Sequence, residues 1–561
     1  MTNKVLNGFF VSAILLLMAA KVNAQDLTHF KENKSSVHGS ISATGIFYNS
    51  QGITPRKTPF SYILNGNLVV NLKGLVLPFS FTYSDRNKSF RQPFNQFGLS
   101  PKYKWITLHL GYRNINFSKY VLGGHTIFGA GIELNPGKFR FGAVYGRLRK
   151  FTNQATNVNN PLNDTITSFT RKVMSVKIGV GTKKTFFDLI IMRAADDSAS
   201  LDPSAIETGN FPATNLVTGI NSRIAFTKNI HLELEGAYSI YTTNQNSTVS
   251  INAPEFITKI IPVNLSTMGY MALRGLLEYR NRKGLKLGLA YRRIDPGYKS
   301  MGTYFINNDV ENLTFKTSFS TFKRKLRFSG SIGLERNNLN TARNATTNKM
   351  IGSAMVSYDP VRIFGITINY SNYSINQQPG RIQIADSVKL YQSNGTFMVM
   401  PHFQFFNSKN TISQFVSLVF SNMKLNDKNP TAGYNNSFTT INNMLTYGIT
   451  FIPVELSVNT TLNYNKVNMT AGNSTNTGGT LGISKGFMKN KLSLGLAANL
   501  TQSVNAQQTM LVFTPSLTAR AKLGKHHSLL LKANMISNNN VTNNNLSSTE
   551  QIGDFSYVFN F

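Results

Sequence analysis

Cysteine is absent from the 561-residue chain. That removes disulfides, thiolate metal centres, cysteine nucleophiles and the acylated cysteine of a lipoprotein. Charge is scarce as well: Asp, Glu, Lys and Arg make up 15% of the residues, against about 25% in soluble globular domains. Acidic residues are the rarer sign, 24 against 58 basic, for a formal net charge of +34. Long apolar runs are missing with one exception. Phe9 to Ala20 is an apolar core, shorter than the ~20 residues a spanning helix needs. No other stretch approaches that length, so a helical membrane protein is excluded. Lys4 ahead of that core and Val22-Asn23-Ala24 behind it give the pattern of a Sec signal peptide over residues 1–24, cleaved after Ala24. Its removal takes Lys4 and Lys21 and no acid, leaving 56 basic and 24 acidic residues, or +32.

What the chain does have, from Ser36 onward, is alternation. Tyr62, Leu64, Leu68, Val70 and Leu72 share one face of an extended run, against Asn65, Asn67 and Asn71. After Lys73-Gly74 the partner run sets Leu75, Leu77, Phe79, Phe81 and Tyr83 against Ser80, Thr82 and Ser84. Period-2 patterning of this kind makes strands with one apolar and one polar face. The same grammar repeats to the end of the chain. Short connections such as Thr227-Lys228-Asn229 and Gly524-Lys525 alternate with Asn-rich loops such as 151–168, 242–262, 338–347, 425–437 and 538–550. The series ends on Phe555, Tyr557, Phe559 and Phe561, four rings on one face with an aromatic carboxyl terminus. A soluble protein would expose that edge to aggregation; a closed barrel pairs the edge and turns the rings to lipid.

This ending, together with the export signal and the alternating runs, resembles Gram-negative outer-membrane β-barrel proteins. The resemblance implies an antiparallel barrel over residues 36–561, both termini in the periplasm, short turns there and long loops outside. It implies recognition of Phe555, Tyr557, Phe559 and Phe561 by the barrel-assembly machinery. The run near 37–49 is then expected to pair with 551–561. Twenty-five alternating runs are legible, and even counts are the rule for such barrels. One strand is therefore expected to hide in the irregular stretch 86–125, giving 26, with 24 as the alternative. The rest of that stretch reads as a long extracellular loop, or else as an inward constriction, the loop being the simpler expectation. TonB-dependent receptors are similar in strand number but carry an N-terminal plug. Residues 25–35 form only a short periplasmic segment, so energy coupling of that kind is not expected. The Asn-rich loops, with Asp164-Thr165-Ile166, Asp197-Ser198-Ala199 and Asp386-Ser387-Val388, look like exported Bacteroidota proteins carrying Asp-Ser/Thr-apolar glycosylation sites. The large uncharacterised barrels of that phylum are the nearest family resemblance, and it implies no agreed activity.

Facing follows from alternation, because a charge on the lipid side costs up to about 2–4 kcal/mol at the midplane. The expected lumen-lining residues are Arg140, Lys177, Arg223, Glu233, Glu235, Arg274, Glu278, Lys286, Arg292, Arg327 and Glu335. Two roles compete for them: cross-strand ion pairs that brace the wall, and a cation-rich constriction preferring anions. Bracing needs fewer assumptions. Asp295-Pro296-Gly297, after Arg292 and Arg293, reads as a solvated extracellular turn, or else as a segment folded over the mouth with Asp295 paired to Arg292 or Arg293.

Catalysis is not expected. The histidines at 29, 38, 109, 125, 231, 402, 526 and 527 show no metal spacing; adjacent His526 and His527 would point to opposite strand faces. No nucleotide fingerprint and no nucleophile–base set occurs, and no cofactor is implied. Export makes a nucleic-acid partner improbable despite the charge. Lipopolysaccharide phosphates and anionic solutes are the expected counter-charges, and a plug or secretion protein is a further candidate partner. The functional expectation is a porin-like channel, or a barrel component of a transport or secretion assembly. The alternative is a structural or adhesion barrel.

Overall fold

A computed structural model describes residues 35–85, 95–152, 168–201, 210–343, 345–379, 391–427, 437–470, 472–543 and 546–561. The signal peptide with Ala24, the segment 25–34, residues 86–94, most of the loops 151–168 and 425–437, and the triads at 164–166 and 386–388 lie outside them. The chain forms one closed antiparallel β-barrel of 26 strands. Its wall contains two short segments, Gln96–Leu99 and Lys102–Tyr103, that are halves of a single strand. The first pairs with Leu75–Ser84 through Phe81↔Phe97, the second through Leu75↔Tyr103, and both pair on their other side with Ile106–Asn114. Pro101 interrupts this strand because it has no N–H to give to the ladder, yet its carbonyl still accepts from Leu108 at 2.8 Å. This is the strand expected within 86–125, and its irregularity is a proline's.

Closure is by the first and last strands. Ser36–Gln51 pairs with Ser548–Asn560 through Ala43↔Tyr557 and Gly45↔Phe555, and the Phe561 N–H donates to the Gly39 carbonyl at 3.0 Å. Among the described residues the wall itself has no open edge, which is what lets its backbone groups be paired in an apolar surround. Ser36 and Phe561 share one end of the barrel with tight turns such as Lys73-Gly74, where both residues take positive φ (51° and 94°) as a hairpin with matched twist requires. Long connections occupy the other end through the first two thirds of the wall. They shorten later: Leu456–Met469 reaches Gly472–Phe487 through residues 470–471 alone.

The outward face is apolar and exposed. Phe187, Leu189 and Ile191 alternate with Asp188, Ile190 and Met192 along one strand; the first three are about half exposed and the second three are buried. Leu481, Leu496, Leu500 and Phe555 continue the outward band around the wall. So continuous an apolar surface is stable only against hydrocarbon or a partner. Among the described residues no helix is long and apolar enough to cross a membrane.

The buried core is not inside a sheet sandwich. It lies on the inner face of one arc of the wall, where Ile190, Met192, Val217, Ala237 and Ala272 are covered by side chains from two loop-end segments.

Candidate functional site: an internal shelf and a charged wall

The first covering segment, 115–125, follows Ile106–Asn114; the second, 295–309, follows Lys286–Ile294. Both enter the barrel instead of projecting outward. Ile115, Phe117, Tyr120, Val121 and Leu122 of the first are at most 6% exposed, as are Tyr298 and Met301 of the second. In both places the simpler expectation gives way to its alternative. Residues 115–125 take the inward course and not that of an external loop. The Asp295-Pro296-Gly297 turn leads into the lumen, with Asp295 accepting from the Met271 N–H at 2.9 Å and Arg293 Nε 3.5 Å away. Apolar burial decides both cases: each large side chain removed from water contributes about 1.5–3 kcal/mol, which an extended surface loop would forgo.

The two segments hold each other. Leu122–Gly123 and Gly302–Thr303 form a short parallel pair. Tyr298 Oη donates to the Tyr120 carbonyl at 2.8 Å, and Ser300 Oγ donates to the Val121 carbonyl at 2.7 Å. The rings of Tyr120 and Tyr298 meet edge to face at 6.4 Å, and His125 stacks on Tyr304 at 3.9 Å. The wall grips the assembly at three points on two adjacent strands. Glu235 accepts from Ser118 Oγ at 2.8 Å and from the Lys119 N–H. Ser239 Oγ donates to the Lys299 carbonyl at 2.6 Å, and Asn215 Oδ1 accepts from the Met301 N–H at 3.0 Å. Glycines make room: a Cβ on Gly142 would lie 2.8 Å from the Phe117 ring, and one on Gly219 would lie 2.4 Å from Val121. Burial drives the Tyr298 phenol pKa strongly upward, and lowers that of His125 from 6.5 to about 4, chiefly by desolvation. The shelf therefore carries a neutral imidazole and neutral phenols at pH 7.

The residues singled out from alternation lie on the same wall face as the shelf. Arg140 grips Asp188 with both nitrogens, at 2.7 and 2.8 Å, and Asp188 is 1% exposed. Lys177 reaches Glu133 at 3.3 Å and sits over the Phe117 ring, while His109 approaches the other Glu133 oxygen at 3.2 Å. Glu233 lies between Arg223 (3.6 Å) and Arg274 (3.8 Å). Glu278 lies between His231 (3.5 Å) and Arg280 (3.1 Å). Glu335 bridges Arg292 (3.2 Å) and Lys349 (3.4 Å), and Arg327 pairs with Asp359. Lys286 stands apart, with no ion pair among the described residues. Each exposed pair contributes about 0.2–1 kcal/mol across strands; the bidentate, desolvated Arg140–Asp188 pair contributes more specificity than that figure suggests. Sequence patterning marked the stretches 86–125 and 291–302 as irregular but did not name the shelf's own side chains as site residues. Their signal was a cluster of apolar side chains, Phe117 to Leu122, without strand periodicity and followed by Gly123-Gly124.

The four aromatic residues at the chain's end lie on the outward face of the closing seam. Phe559 and Phe561 meet edge to face at 4.8 Å, and His527 packs between Tyr557 and Phe559, with its Nδ1 2.7 Å from Tyr557 Oη.

No protein-family model and no curated protein matches this chain. Among solved structures, similar chains include the translocation pore of the P pilus usher PapC, at 12% identity and a TM-score of 0.38, over 94% of this chain and 100% of that one. The FrpB iron transporter of Neisseria meningitidis is 12% identical with a TM-score of 0.36, over 96% and 84% respectively. OccK11 (OpdR) of Pseudomonas aeruginosa is 10% identical with a TM-score of 0.34, over 65% and 95%.

Proposed function

We propose that this protein is an outer-membrane barrel acting as a porin-like channel, narrowed on one side by a fixed internal shelf. The observation that carries the reading is the one-sidedness of the filling. A circular wall of 26 strands, at about 4.8 Å spacing and about 40° tilt, has a backbone diameter of about 50 Å. Two segments of 11 and 15 residues (115–125 and 295–309) displace about 3,000–3,500 Å³ at interior packing density, roughly a tenth of such a lumen. Among the described residues the wall side chains buried under them run from Ile127 to Val310. Beyond that arc, inward positions such as Ser493, Asn499 and Thr501 are polar and half-exposed, as a watered passage requires. Among the described residues the shelf and the wall are joined by direct hydrogen bonds and not by a single hinge contact, so the restriction is a built part of the channel.

The strongly basic composition favours anionic solutes over cations, although most inner cations are partly neutralised by the pairs described above. Planar-bilayer recordings test both claims. The expected results are stable conductance, anion selectivity at low salt that weakens at high salt, and a larger unitary conductance when residues 116–123 are replaced by a short Gly-Ser linker. A barrel that never conducts, or whose conductance ignores the replacement, would refute the channel. The arc that the described residues leave uncovered in so wide a barrel also supports a second reading, a component of a transport or secretion assembly whose partner occupies it. Recovery of one stoichiometric partner on mild extraction would favour that reading over a free channel.

A further inference from the structure

We infer that the inner wall carries a binding groove for an anionic polyol, meaning a sugar or sugar fragment bearing a phosphate or carboxylate. This deepens the channel reading by naming the solute class its lumen recognises, and rests on it only for the word solute. The groove encloses about 710 Å³, within the range of small-ligand sites. It lies on inward faces of six consecutive strands; its lining includes Glu278 and no residue of the shelf.

Two adjacent cross-strand rows build it. In one, the register runs Glu278↔Gly288↔Lys316↔Ser331↔Ser353↔Ser371; in the next it runs Arg280↔Lys286↔Ser318↔Ser329↔Met355↔Asn369. Lys286 and Lys316 are therefore diagonal neighbours on one face, at a spacing of roughly 7–8 Å, and both are exposed to the lumen. Neither has an ion pair among the described residues. The other inward cations of this arc, Arg274, Arg280, Arg292, Arg327 and Lys349, each have a carboxylate within 4 Å. Two like charges left facing each other across strands are destabilising, and an anion between them removes that cost. Gly288 opens a depression beside Lys316, where a Cβ would meet the Leu276 side chain and the Lys316 Cβ.

From the lysines the groove continues as hydroxyls. Ser331 and Ser353 bond each other at 2.9 Å, and Ser318, Ser329, Ser371 and Asn369 flank them. Strands lie about 4.8 Å apart, so these small donor–acceptor groups recur at about the spacing of vicinal and 1,3-related hydroxyls reached through one water. Every hydroxyl both donates and accepts, which suits a polyol and has no particular advantage for a bare inorganic ion. Charge at one end and hydroxyls along the other thus specify one molecule with both features.

The test uses the full-length protein in detergent and in planar bilayers, with glucose 6-phosphate, glucose and inorganic phosphate as probes. Equilibrium dialysis is expected to rank glucose 6-phosphate above both partial ligands, with the same order for current block. The double variant Lys286→Gln/Lys316→Gln should weaken glucose 6-phosphate by about tenfold or more, as expected from losing charge-assisted contacts. Ser331→Ala/Ser353→Ala should weaken glucose 6-phosphate severalfold and leave inorganic phosphate unchanged. Heat-modifiable gel mobility confirms that each variant is an assembled barrel. Equal binding by the lysine variant, or inorganic phosphate binding as tightly as the sugar phosphate, overturns the groove. Binding without conductance overturns the channel and leaves the groove; conductance without binding or block overturns the groove alone.

Discussion

Glu235 is the wall's strongest hold on the shelf, and Glu235→Ala is the most direct way to release it. Its carboxylate is 6% exposed and accepts from Ser118 Oγ at 2.8 Å and from the Lys119 backbone N–H. Hydrogen bonds to a charged group contribute about 1.5–3 kcal/mol each. Both bonds end on the same oxygen, Oε1, and removing it also leaves a backbone N–H and a hydroxyl in a poorly solvated place. Against this stands the desolvation cost of the carboxylate itself, which the substitution relieves. The net loosening of the segment is then about 2–4 kcal/mol, or roughly 30- to 700-fold in the local opening constant. Hydrogen exchange at the amides of Tyr120 to Gly123 reads that constant directly when reclosing is fast. Glu235→Gln keeps an acceptor without the charge and should fall between. The wall should keep its thermal midpoint, because Glu235 makes no bond that closes the barrel. Exchange at these amides accelerated less than threefold in Glu235→Ala would refute the claim that this carboxylate pins the shelf.

Gly219→Val should act from the other side: with a Cβ 2.4 Å from Val121 the segment must shift, and unitary conductance should rise as in the linker replacement; unchanged conductance would show that the shelf does not restrict flow. The His125 pKa, lowered to about 4 by burial, makes the folded shelf bind fewer protons than the unfolded chain between about pH 4 and 6.5. Shelf stability is therefore complete above pH 6.5 and is lost progressively as pH falls towards 4; after correction for intrinsic rates, exchange at Leu122 to Gly124 should show this slope, and His125→Phe should flatten it. Deleting Phe559 to Phe561 removes the end of the seam that pairs with Ser40 and Ile41 and should abolish membrane assembly before any effect on transport; normal surface levels of the truncation would count against an assembly role.

Much of this protein was legible in its alternation. The pairing of the Ser36 strand with the last strand, the number of strands and the facing of Leu277 and Leu289 against Arg274 and Lys286 all follow from a two-residue period and from parity. The argument succeeds because a strand in a closed wall has only two faces and must pair on both sides, so local pattern and global structure carry the same information. It weakened at Ser100-Pro101, where a proline broke the period of a real strand.

The fate of 115–125 and 295–309 is a different matter. A loop has no periodicity to report its direction, and Phe117, Val121 and Tyr298 would be as apolar in an exposed adhesive loop as in a buried shelf. Their burial rests on partners far away in the chain: Glu235 lies 117 residues from Ser118, and Tyr298 lies 178 residues from Tyr120. The arrangement that sets Lys286 and Lys316 as diagonal neighbours, with no ion pair to either among the described residues, is equally non-local, since it depends on how whole strands are registered against one another. Sequence alone determined the wall, because the wall's rules are local and repeated. What stands inside it was decided only by closure, which brings distant side chains to one inner surface and there makes burial, pairing or their absence possible.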